Sequence, residues 1–256
     1  MIEPNFNKGQ HVLINNSIID KEISMANLSK KDRVIEIGAG TGILTKKISS
    51  KALRVLSFEI DDIFENKLNE LEKNSSNIKI IIGDALKYNW SSYNKIVSNI
   101  PYYLSEAILM KAIRENIEEL VLIVGENFKE SLLSDNKIGI IGKLFYDVNP
   151  IELISKENFI PIPKVNSWLV KLKRKKEFSK KEIIIQNIIL RKGKLKNAII
   201  YSFVKEGKTK REVKKLLKEF NIDNNILEKN TNKLTANLIK RINQEIDKLN
   251  LEENFE

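Results

Sequence analysis

The stretch Val34-Ile35-Glu36-Ile37-Gly38-Ala39-Gly40-Thr41-Gly42 decides the fold class. Its apolar run predicts a buried strand, and the glycines at alternate positions predict a tight turn that leads into a helix. Because glycine carries no Cβ atom, such a turn also lets the backbone come close to a ligand. A glycine cluster alone is a weak signal, since many turns contain one. The rest of the chain must show whether this strand belongs to a ligand-binding sheet.

Short apolar runs alternate with helical patterns from residue 30 to residue 125, as a parallel α/β sheet requires. The predicted strands are Arg33–Ile37, Arg54–Ile60, Ile78–Gly83, Lys95–Asn99 and Leu120–Val124, and the predicted helices are Leu44–Ser50, Asp61–Lys73 and Ser105–Asn116. A helix over Lys137–Asp147 and a strand over Ser167–Lys173 follow. After residue 176 only helical patterns remain, at Glu182–Leu190, Leu195–Val204 and Glu212–Phe220. We predict an α/β domain over residues 1–176 and a small all-helical domain over residues 177–256.

The chain of 256 residues has a formal net charge of +10, and the excess lies in its last third. Residues 1–170 contain 21 Lys and Arg against 22 Asp and Glu, whereas residues 171–256 contain 23 against 12. Within that third, residues 171–218 carry 18 basic and 4 acidic side chains, a net charge of +14. A solvated lysine-rich face is the alternative, but a compositional bias would also have enriched the first 170 residues. The distribution therefore favours a C-terminal module that faces a polyanion.

The chain contains no cysteine and one histidine, His11. This composition excludes disulfides, thiolate catalysis and Cys-ligated zinc, and one histidine cannot form a His-rich site, so we predict no metal. The first residues lack the basic and apolar segments of a signal peptide, and no apolar stretch approaches the ~20 residues needed to span a bilayer. We therefore expect a cytoplasmic protein without a membrane partner.

Two acidic residues follow the next two predicted strands. Glu59 lies about 20 residues beyond the glycine turn, where a carboxylate can accept both hydroxyls of a ribose. Asp84 follows the third strand, where it can accept the exocyclic amine of an adenine. Because the carboxyl ends of parallel strands meet at one edge, the pattern predicts a site for an adenosine-containing cofactor. The glycine spacing departs from Gly-x-Gly-x-x-Gly, which argues against NAD.

The sequence Asn99-Ile100-Pro101-Tyr102 ends the fourth predicted strand. Read structurally, it is a strand-terminating turn with a partly buried tyrosine. Read chemically, it suits methylation of an adenine N6 nitrogen, whose lone pair is delocalised into the ring. The Asn99 oxygen and a carbonyl next to Pro101 can accept the two N6 hydrogens, and Tyr102 can stack on the base. Because this segment is expected at the same edge as the cofactor residues, we favour the chemical interpretation.

Seven segments of the chain together carry a family resemblance. They are Gly9-Gln10-His11-Val12-Leu13, Glu36-Ile37-Gly38-Ala39-Gly40-Thr41-Gly42, Glu59, Gly83-Asp84-Ala85, Asn99-Ile100-Pro101-Tyr102, Phe159-Ile160-Pro161-Ile162-Pro163-Lys164-Val165-Asn166-Ser167 and Lys192-Gly193-Lys194-Leu195-Lys196-Asn197-Ala198. Over roughly residues 5 to 205 their order and spacing resemble those of the ribosomal RNA adenine N6-dimethyltransferases. The resemblance implies a Rossmann-like S-adenosylmethionine-dependent methyltransferase sheet with a small C-terminal helical domain that binds RNA.

The resemblance also implies the substrate and the roles of individual residues. It implies a monomer that dimethylates N6 of two adjacent adenines near the 3′ end of small-subunit rRNA during ribosome biogenesis. The implied cofactor-binding residues are His11, Leu13, Gly38, Gly40, Glu59, Asp84 and Asn99. The residues implied to contact the reacting base are Asn99, Pro101, Tyr102 and Phe159. For Phe159, a core position that closes the loop before the last strand is an equal alternative.

Two positions depart from the family pattern. Val12 stands where the family usually has Phe, and Gly125-Glu126-Asn127-Phe128-Lys129-Glu130 stands where it has Gln-Lys-Glu-Phe/Val-Ala-Glu. Gly125 is expected at a strand end near the substrate, so the departure bears on how RNA docks. Two alternatives therefore stay open. One is a large-subunit rRNA or DNA adenine methyltransferase, and the other is a ribosome-assembly binding factor with reduced catalysis.

Overall fold

The computed structural model describes residues 11–249, so Gly9 and Gln10 of the first family segment lie outside the described residues. Its strands are β1 Val12–Leu13, β2 Arg33–Ile37, β3 Arg54–Glu59, β4 Ile78–Ile82, β5 Lys95–Asn99, β6 Glu119–Gly125, β7 Tyr146–Ile154, β8 Phe159–Ile160 and β9 Ser167–Arg174. Its α-helices are α1 Asn16–Met25, α2 Ile43–Lys51, α3 Glu65–Lys73, α4 Ser105–Arg114, α5 Glu126–Leu133, α6 Lys137–Phe145, α7 Lys180–Leu190, α8 Leu195–Lys205, α9 Lys210–Glu219, α10 Asn224–Leu227 and α11 Ala236–Asp247. Short 3-10 helices lie at Asp62–Phe64, Ala85–Lys87, Tyr102–Leu104, Lys156–Asn158 and Thr231–Lys233.

A seven-stranded sheet with the order β4-β3-β2-β5-β6-β9-β7 is the centre of the first compact unit, which holds residues 11–133 and 146–174 of the described chain. Strands β2 to β6 run parallel, and β9 runs antiparallel to both β6 and β7. The chain moves outward from β2 through β3 and β4 and then returns to β5 on the other side of β2. In parallel α/β sheets, ligands bind at the carboxyl ends of the strands where the order reverses in this way. The topology therefore predicts a ligand site at the carboxyl ends of β2 and β5.

Helices cover the central strands, and this explains their sequence. All seven residues of β6 are buried, as expected for a continuous apolar strand packed on both faces. Helix α1 contributes Ile19 and Ile23 to the same hydrophobic core as Val34 of β2 and Val97 of β5. Each such side chain contributes roughly 1.5–3 kcal/mol on burial. The core therefore fixes the strand ends that carry the polar residues described below.

The structure confirms the predicted α/β fold class and the six predicted strands, with each boundary within one residue. The predicted helices Leu44–Ser50 and Ser105–Asn116 correspond to α2 and α4. The predicted helix Asp61–Lys73 is divided into a 3-10 helix and α3. The sequence patterns therefore located every parallel strand of the sheet.

The predicted helix Lys137–Asp147 is wrong at its end, because α6 stops at Phe145 and β7 begins at Tyr146. Strand β7 was missed because Pro150, which has no backbone N–H group, lies within it. The strand tolerates this proline because it is at the edge of the sheet, and its pairing with β9 is irregular between Pro150 and Glu152. Four helices, α1, α5, α10 and α11, and the small antiparallel pair of β1 and β8 have no counterpart among the predicted elements.

The second compact unit is helical and holds residues 134–145 and 175–249 of the described chain. Helices α7 and α9 both begin with a capping box, in which Ser179 pairs with Glu182 and Thr209 pairs with Glu212. A linear division at residue 176 assigns α6 to the first domain, whereas the structure packs α6 with the second unit. Within residues 11–249, no helix combines the length and the apolar character needed to cross a membrane.

Candidate active site

The glycine turn after β2 forms part of a cavity at the carboxyl ends of the parallel strands. The N–H groups of Gly38 and Ala39 donate to the Phe58 carbonyl at 2.8 and 2.9 Å, which ties the turn to the end of β3. Gly38 and Gly40 have φ angles of +89° and +52°, a region that favours glycine. A Cβ atom on Gly40 would meet no described protein atom within 4 Å. The turn therefore presents bare backbone to open space in the cavity.

Glu59, the last residue of β3, lines the cavity with a carboxylate that the backbone holds in place. Its Oε1 accepts the N–H groups of Ile60 and Asp61 at 2.8 and 2.9 Å, and its Oε2 accepts the N–H of Gly40 at 2.8 Å. Burial raises the pKa of Glu59, and the three N–H bonds act in the opposite direction. A carboxylate has about four acceptor sites, so it can still accept a ligand hydroxyl. This arrangement suits the ribose contact predicted from the sequence.

Asp84 lies just beyond β4 on the same cavity. Its Oδ1 accepts the Leu86 N–H at 3.0 Å and so caps a short 3-10 helix. Among the described residues, its Oδ2 has no hydrogen-bond partner. The preceding Gly83 donates its N–H to the Glu59 carbonyl at 2.6 Å, which links the ends of β3 and β4. The structure therefore brings the two predicted acidic residues together with an acceptor available on each.

Asn99 ends β5, next to β2 and the glycine turn. Its side-chain N–H donates to the His11 carbonyl at 3.2 Å, so the amide is oriented by the N-terminal segment. Its Oδ1 has no partner among the described residues, and Asn99 lines the cavity. A side-chain carbonyl oxygen therefore remains available as an acceptor beside the glycine turn.

Tyr102 also lines the cavity, and its ring is fixed on several sides. Its hydroxyl shares a hydrogen bond with the Ser167 hydroxyl at 2.6 Å, and burial raises its pKa, so the phenol stays neutral. A Cβ atom on Gly125 would lie 3.0 Å from the Tyr102 ring, so a larger residue here would require the ring to shift by a few tenths of an ångström. The His11 ring stacks at 5.9 Å between ring centroids, and His11 Nδ1 lies 2.8 Å from the Pro161 carbonyl oxygen. The unusual Gly125 is thus a packing partner of Tyr102.

The predicted contact between Phe159 and the target base is not supported by the structure. Phe159 is fully buried in the hydrophobic core, pairs with Leu13 in the β1–β8 ladder and does not line the cavity. The alternative core position is the one observed, because β8 turns this ring inward. His11, Leu13 and Pro101 do line the cavity. The structure therefore brings together every predicted site residue except Phe159.

Two buried carboxyl groups beneath the cavity were not assigned a role from the sequence. Glu36 of β2 is 1% exposed, and its Oε2 accepts the hydroxyls of Thr45 and Ser57 at 2.5 and 2.7 Å. Burial raises the pKa of Glu36 to about 8. Glu22 of α1 is 0% exposed, and burial followed by the charge of Glu36 raises its pKa well above the usual range. Both residues line the cavity.

These features together define a class of protein. The sheet is doubly wound, with a bare glycine turn after its first parallel strand and acidic acceptors at the ends of the next two, and these groups fit an adenosine-containing cofactor. This is the Rossmann-like arrangement of S-adenosylmethionine-dependent methyltransferases. Residues 2–246 match the model of the family described as ribosomal RNA adenine dimethylase. The chain belongs to this family, which makes it an S-adenosylmethionine-dependent enzyme that methylates adenines in ribosomal RNA.

Named relatives and solved structures agree with this assignment. A Pyrococcus abyssi protein named probable ribosomal RNA small subunit methyltransferase A is 38% identical over 183 residues, which cover 69% of this chain and 67% of the relative. A Methanosarcina barkeri protein of the same name is 32% identical over 204 residues, which cover 75% and 71%. The crystal structure of a dimethyladenosine transferase from Plasmodium falciparum is 26% identical, with a TM-score of 0.64 over 93% of this chain and 98% of that chain. The 23S rRNA methyltransferase ErmE shares the fold at 19% identity, with a TM-score of 0.63 over 92% and 99%.

Proposed function

We propose that this enzyme dimethylates N6 of two adjacent adenines near the 3′ end of small-subunit rRNA, within a pre-ribosomal particle. The observation that carries the proposal is the convergence of Gly40, Glu59, Asp84, Asn99 and Tyr102 on one cavity at the point where the strand order reverses. The names of the archaeal relatives support the small subunit as the substrate. Location in the cytoplasm and a monomeric state remain predictions.

The cofactor is held by residues at three strand ends. S-adenosylmethionine supplies a methyl group that is activated by its positively charged sulfur. The Glu59 carboxylate would accept a ribose hydroxyl at its remaining acceptor site, and Asp84 Oδ2 would accept the adenine amine. The turn at Gly38 and Gly40 leaves space for the methionyl end, because a side chain there would enter the cavity. Backbone bonds already fix the Glu59 carboxylate, so little side-chain entropy is lost on binding.

The target nitrogen needs acceptors rather than a strong base. Asn99 Oδ1 accepts one N6 hydrogen, and its amide is held by the bond to the His11 carbonyl. A carbonyl next to Pro101 is the second acceptor, and the Ile100 carbonyl is the better candidate because no described residue donates to it, whereas the Pro101 carbonyl already accepts the Leu104 N–H at 2.9 Å. Two acceptors draw the nitrogen towards tetrahedral geometry and direct its lone pair at the methyl group. After the transfer the methylated nitrogen carries a positive charge and is acidic. It therefore loses its proton to water without a protein base.

The base itself is positioned by stacking. Adenine in a folded RNA has to be extruded before its N6 atom can enter a cavity of this kind. The Tyr102 ring offers an aromatic face, and its bond to Ser167 and its contact with Gly125 limit its movement. Base stacking on an aromatic ring is worth about 1–3 kcal/mol, enough to offset part of the unstacking cost. Tyr102 is therefore a positioning group for the base and not a general acid.

The helical unit is the proposed source of RNA affinity. Helix α9 exposes Lys210, Arg211, Lys214 and Lys218, and none of them forms an ion pair with a described residue. Two of these cations lie in the first turn of the helix, where they oppose the macrodipole. Phosphate groups would neutralise them, with a strong dependence on salt.

A matched pair of double variants tests this role. Replacing Lys214 and Lys218 by Glu should weaken RNA binding and reduce the slope of log Kd against log salt by about 1.4–1.8, because each of the two lost phosphate contacts contributes about 0.7–0.9. The control replaces Lys51 and Lys67, exposed lysines of α2 and α3, and changes the net charge equally. Equal losses in both variants would show that only net charge matters and would refute the assignment to α9.

The substrate proposal is tested by incubation with small subunits that lack the modification. Dimethyladenosine should appear in the small-subunit rRNA by mass spectrometry, whereas large subunits and duplex DNA should stay unmodified. Asn99→Ala should abolish methylation while S-adenosylmethionine binding persists, and Asn66→Ala, an exposed site on α3, should behave as wild type. Modification of large subunits or DNA instead would refute the substrate. Binding without any methylation by the wild-type protein would favour the assembly-factor alternative.

A further inference from the structure

Glu22 is a fully buried acidic residue whose burial is not explained by any hydrogen bond within the described part of the fold. It lies on the face of α1 that packs into the core, between Ile19 and Ile23, and is 0% exposed. Both of its carboxyl oxygens are buried and have no hydrogen-bond partner among the described residues. Glu22 also lines the cavity proposed for the cofactor. An unpaired, buried carboxyl group is costly to a fold unless something else enters the site to meet it.

A second carboxyl group lies next to Glu22. Glu36 Oε2 is bonded to two hydroxyl groups, but Glu36 Oε1 is buried without a partner among the described residues. Both residues line the same cavity, and the charge of Glu36 raises the pKa of Glu22. No Lys or Arg occurs among the described residues that line the cavity. The pair therefore has no protein cation to balance its charge.

The cofactor brings the missing charge. S-adenosylmethionine carries two positive groups on its methionyl end, the sulfonium and the α-ammonium. Two buried carboxyl groups with three open oxygens offer what such a cation needs, and the glycine turn that leaves space for the methionyl end directly follows the strand that carries Glu36. We propose that Glu22 and Glu36 form a shared recognition site for the positive charge of the methionyl end, and that this pair releases a proton to solvent when the cofactor binds.

The inference rests on the proposed cofactor site and goes beyond it by adding Glu22 and a proton-coupled step. In the free protein, burial raises the pKa of both groups, to about 8 for Glu36, and the charge of Glu36 raises the pKa of Glu22 further, so the pair holds a proton at pH 7. Glu59 adds to the repulsion on Glu36, and the Ser98 backbone N–H lies near enough to Glu22 to oppose the rise in its pKa, although it does not meet the distance and angle of a hydrogen bond. The other titratable groups that line the cavity are His11, Asp84, Tyr102 and Tyr103.

The linkage has a definite direction. A bound cation favours the ionised form of the carboxyl groups, so binding releases a proton and the affinity for S-adenosylmethionine rises with pH. In the pH range where one proton is released for each cofactor molecule bound, the association constant increases about tenfold per pH unit. The neutral thioether 5′-methylthioadenosine lacks both positive groups. Its affinity should therefore depend little on pH.

Titration calorimetry of the whole protein tests the proposal without relying on activity. Binding of S-adenosylmethionine at pH 7 is measured in two buffers with different ionisation enthalpies, and the difference in observed enthalpy gives the number of protons released. We expect about one proton for the wild type and a clearly smaller number for Glu22→Gln, which keeps the shape of the side chain. The control is Asp20→Asn, which makes the same change on the exposed face of α1, where Asp20 pairs with Lys47. This control should release as many protons as the wild type.

Each outcome decides the question. Equal proton release by the wild type and Glu22→Gln would overturn the inference, and so would equal release on binding 5′-methylthioadenosine. If Glu22→Gln fails to fold, the wild-type protein still decides, because an affinity for S-adenosylmethionine that stays constant from about pH 5.5 to about pH 7, below the titration of the cofactor's own α-ammonium group at roughly 7.7–8.0, refutes the coupling. A wild-type protein that binds no S-adenosylmethionine at any pH would instead refute the cofactor site of the proposed function.

Discussion

Glu36→Gln should remove a large pH dependence from the stability of the free protein. The pKa of Glu36 is raised from 4.5 to about 8 in the fold, so between these values the folded protein holds a proton that the unfolded chain has lost. Folding therefore takes up a proton, and stability falls as the pH rises through this interval. The contribution of Glu36 is complete below pH 4.5 and is lost progressively towards pH 8.

The magnitude follows from the width of the interval. Each pH unit costs about 1.4 kcal/mol while one proton is taken up, so the interval from 4.5 to about 8 corresponds to about 5 kcal/mol. This is a large part of the 5–15 kcal/mol that stabilises a typical fold, roughly half at the centre of that range. Asp32 does not mask the effect, because its pKa is lowered and its contribution is already complete above about pH 4.

Urea denaturation at pH 5, 6, 7, 8 and 9, chosen to cover roughly the interval of the Glu36 titration, measures the effect. The free energy of unfolding of the wild type should fall steadily towards pH 8, whereas that of Glu36→Gln should fall less, with the slope that remains contributed by Glu22, whose pKa is also raised. Gln can still accept the hydroxyls of Thr45 and Ser57, so the fold should be retained. Glu70→Gln, an exposed site on α3, should follow the wild type. A Glu36→Gln curve parallel to that of the wild type would refute the reasoning.

Three further substitutions test individual contacts. Gly42→Ala should lower the free energy of unfolding by about 1–3 kcal/mol. Gly42 has a φ angle of +80°, and a Cβ atom added there would lie 2.9 Å from the Leu71 side chain. A urea denaturation curve equal to that of the wild type would contradict this. Gly125→Ala should slow methylation and leave S-adenosylmethionine affinity unchanged, because its Cβ displaces the Tyr102 ring; an unchanged turnover rate would contradict it. Thr209→Ala removes the capping box of α9 and should cost about 1 kcal/mol in thermal unfolding, and no measurable loss would refute that role.

The sequence predicted the parallel part of the sheet because hydrophobic periodicity is strongest there. Strands β2 and β5 are apolar runs bounded by turn residues, and the residues that follow them must lie at one edge in any parallel sheet. Glu59, Asp84 and Asn99 could be assigned to one site for this reason alone. Strand β7 could not be predicted, because Pro150 is compatible with a strand only at a sheet edge, and a local pattern does not show which strand is at the edge.

Phe159 and Gly125 show a second limit of the sequence. Phe159 belongs to a family segment, but the pairing of β8 with β1 decides whether its ring faces the cavity or the core. The two paired strands are separated by about 150 residues along the chain. Gly125 departs from the family pattern, and only its contact with Tyr102 explains what the missing side chain permits. Both outcomes depend on contacts between segments distant in sequence. Such contacts leave no periodic signal in either segment.

Glu22 is different, because a signal for it was present in the sequence. One helical face contains Ile19, Glu22, Ile23 and Ala26, which follow the spacing i, i+3, i+4 and i+7. A glutamate on such an apolar face either reaches solvent at the edge of the face or is buried, and a buried glutamate needs a partner for its carboxyl group. The pattern was missed because α1 begins in a polar stretch, where Asn15 caps the helix. What the sequence could not supply is the proximity of Glu36, since a carboxyl group of α1 meets one of β2 only when the helix packs on the sheet. A buried acid on an apolar helix face is therefore a reason to look for a cation, and here the cofactor is the one available.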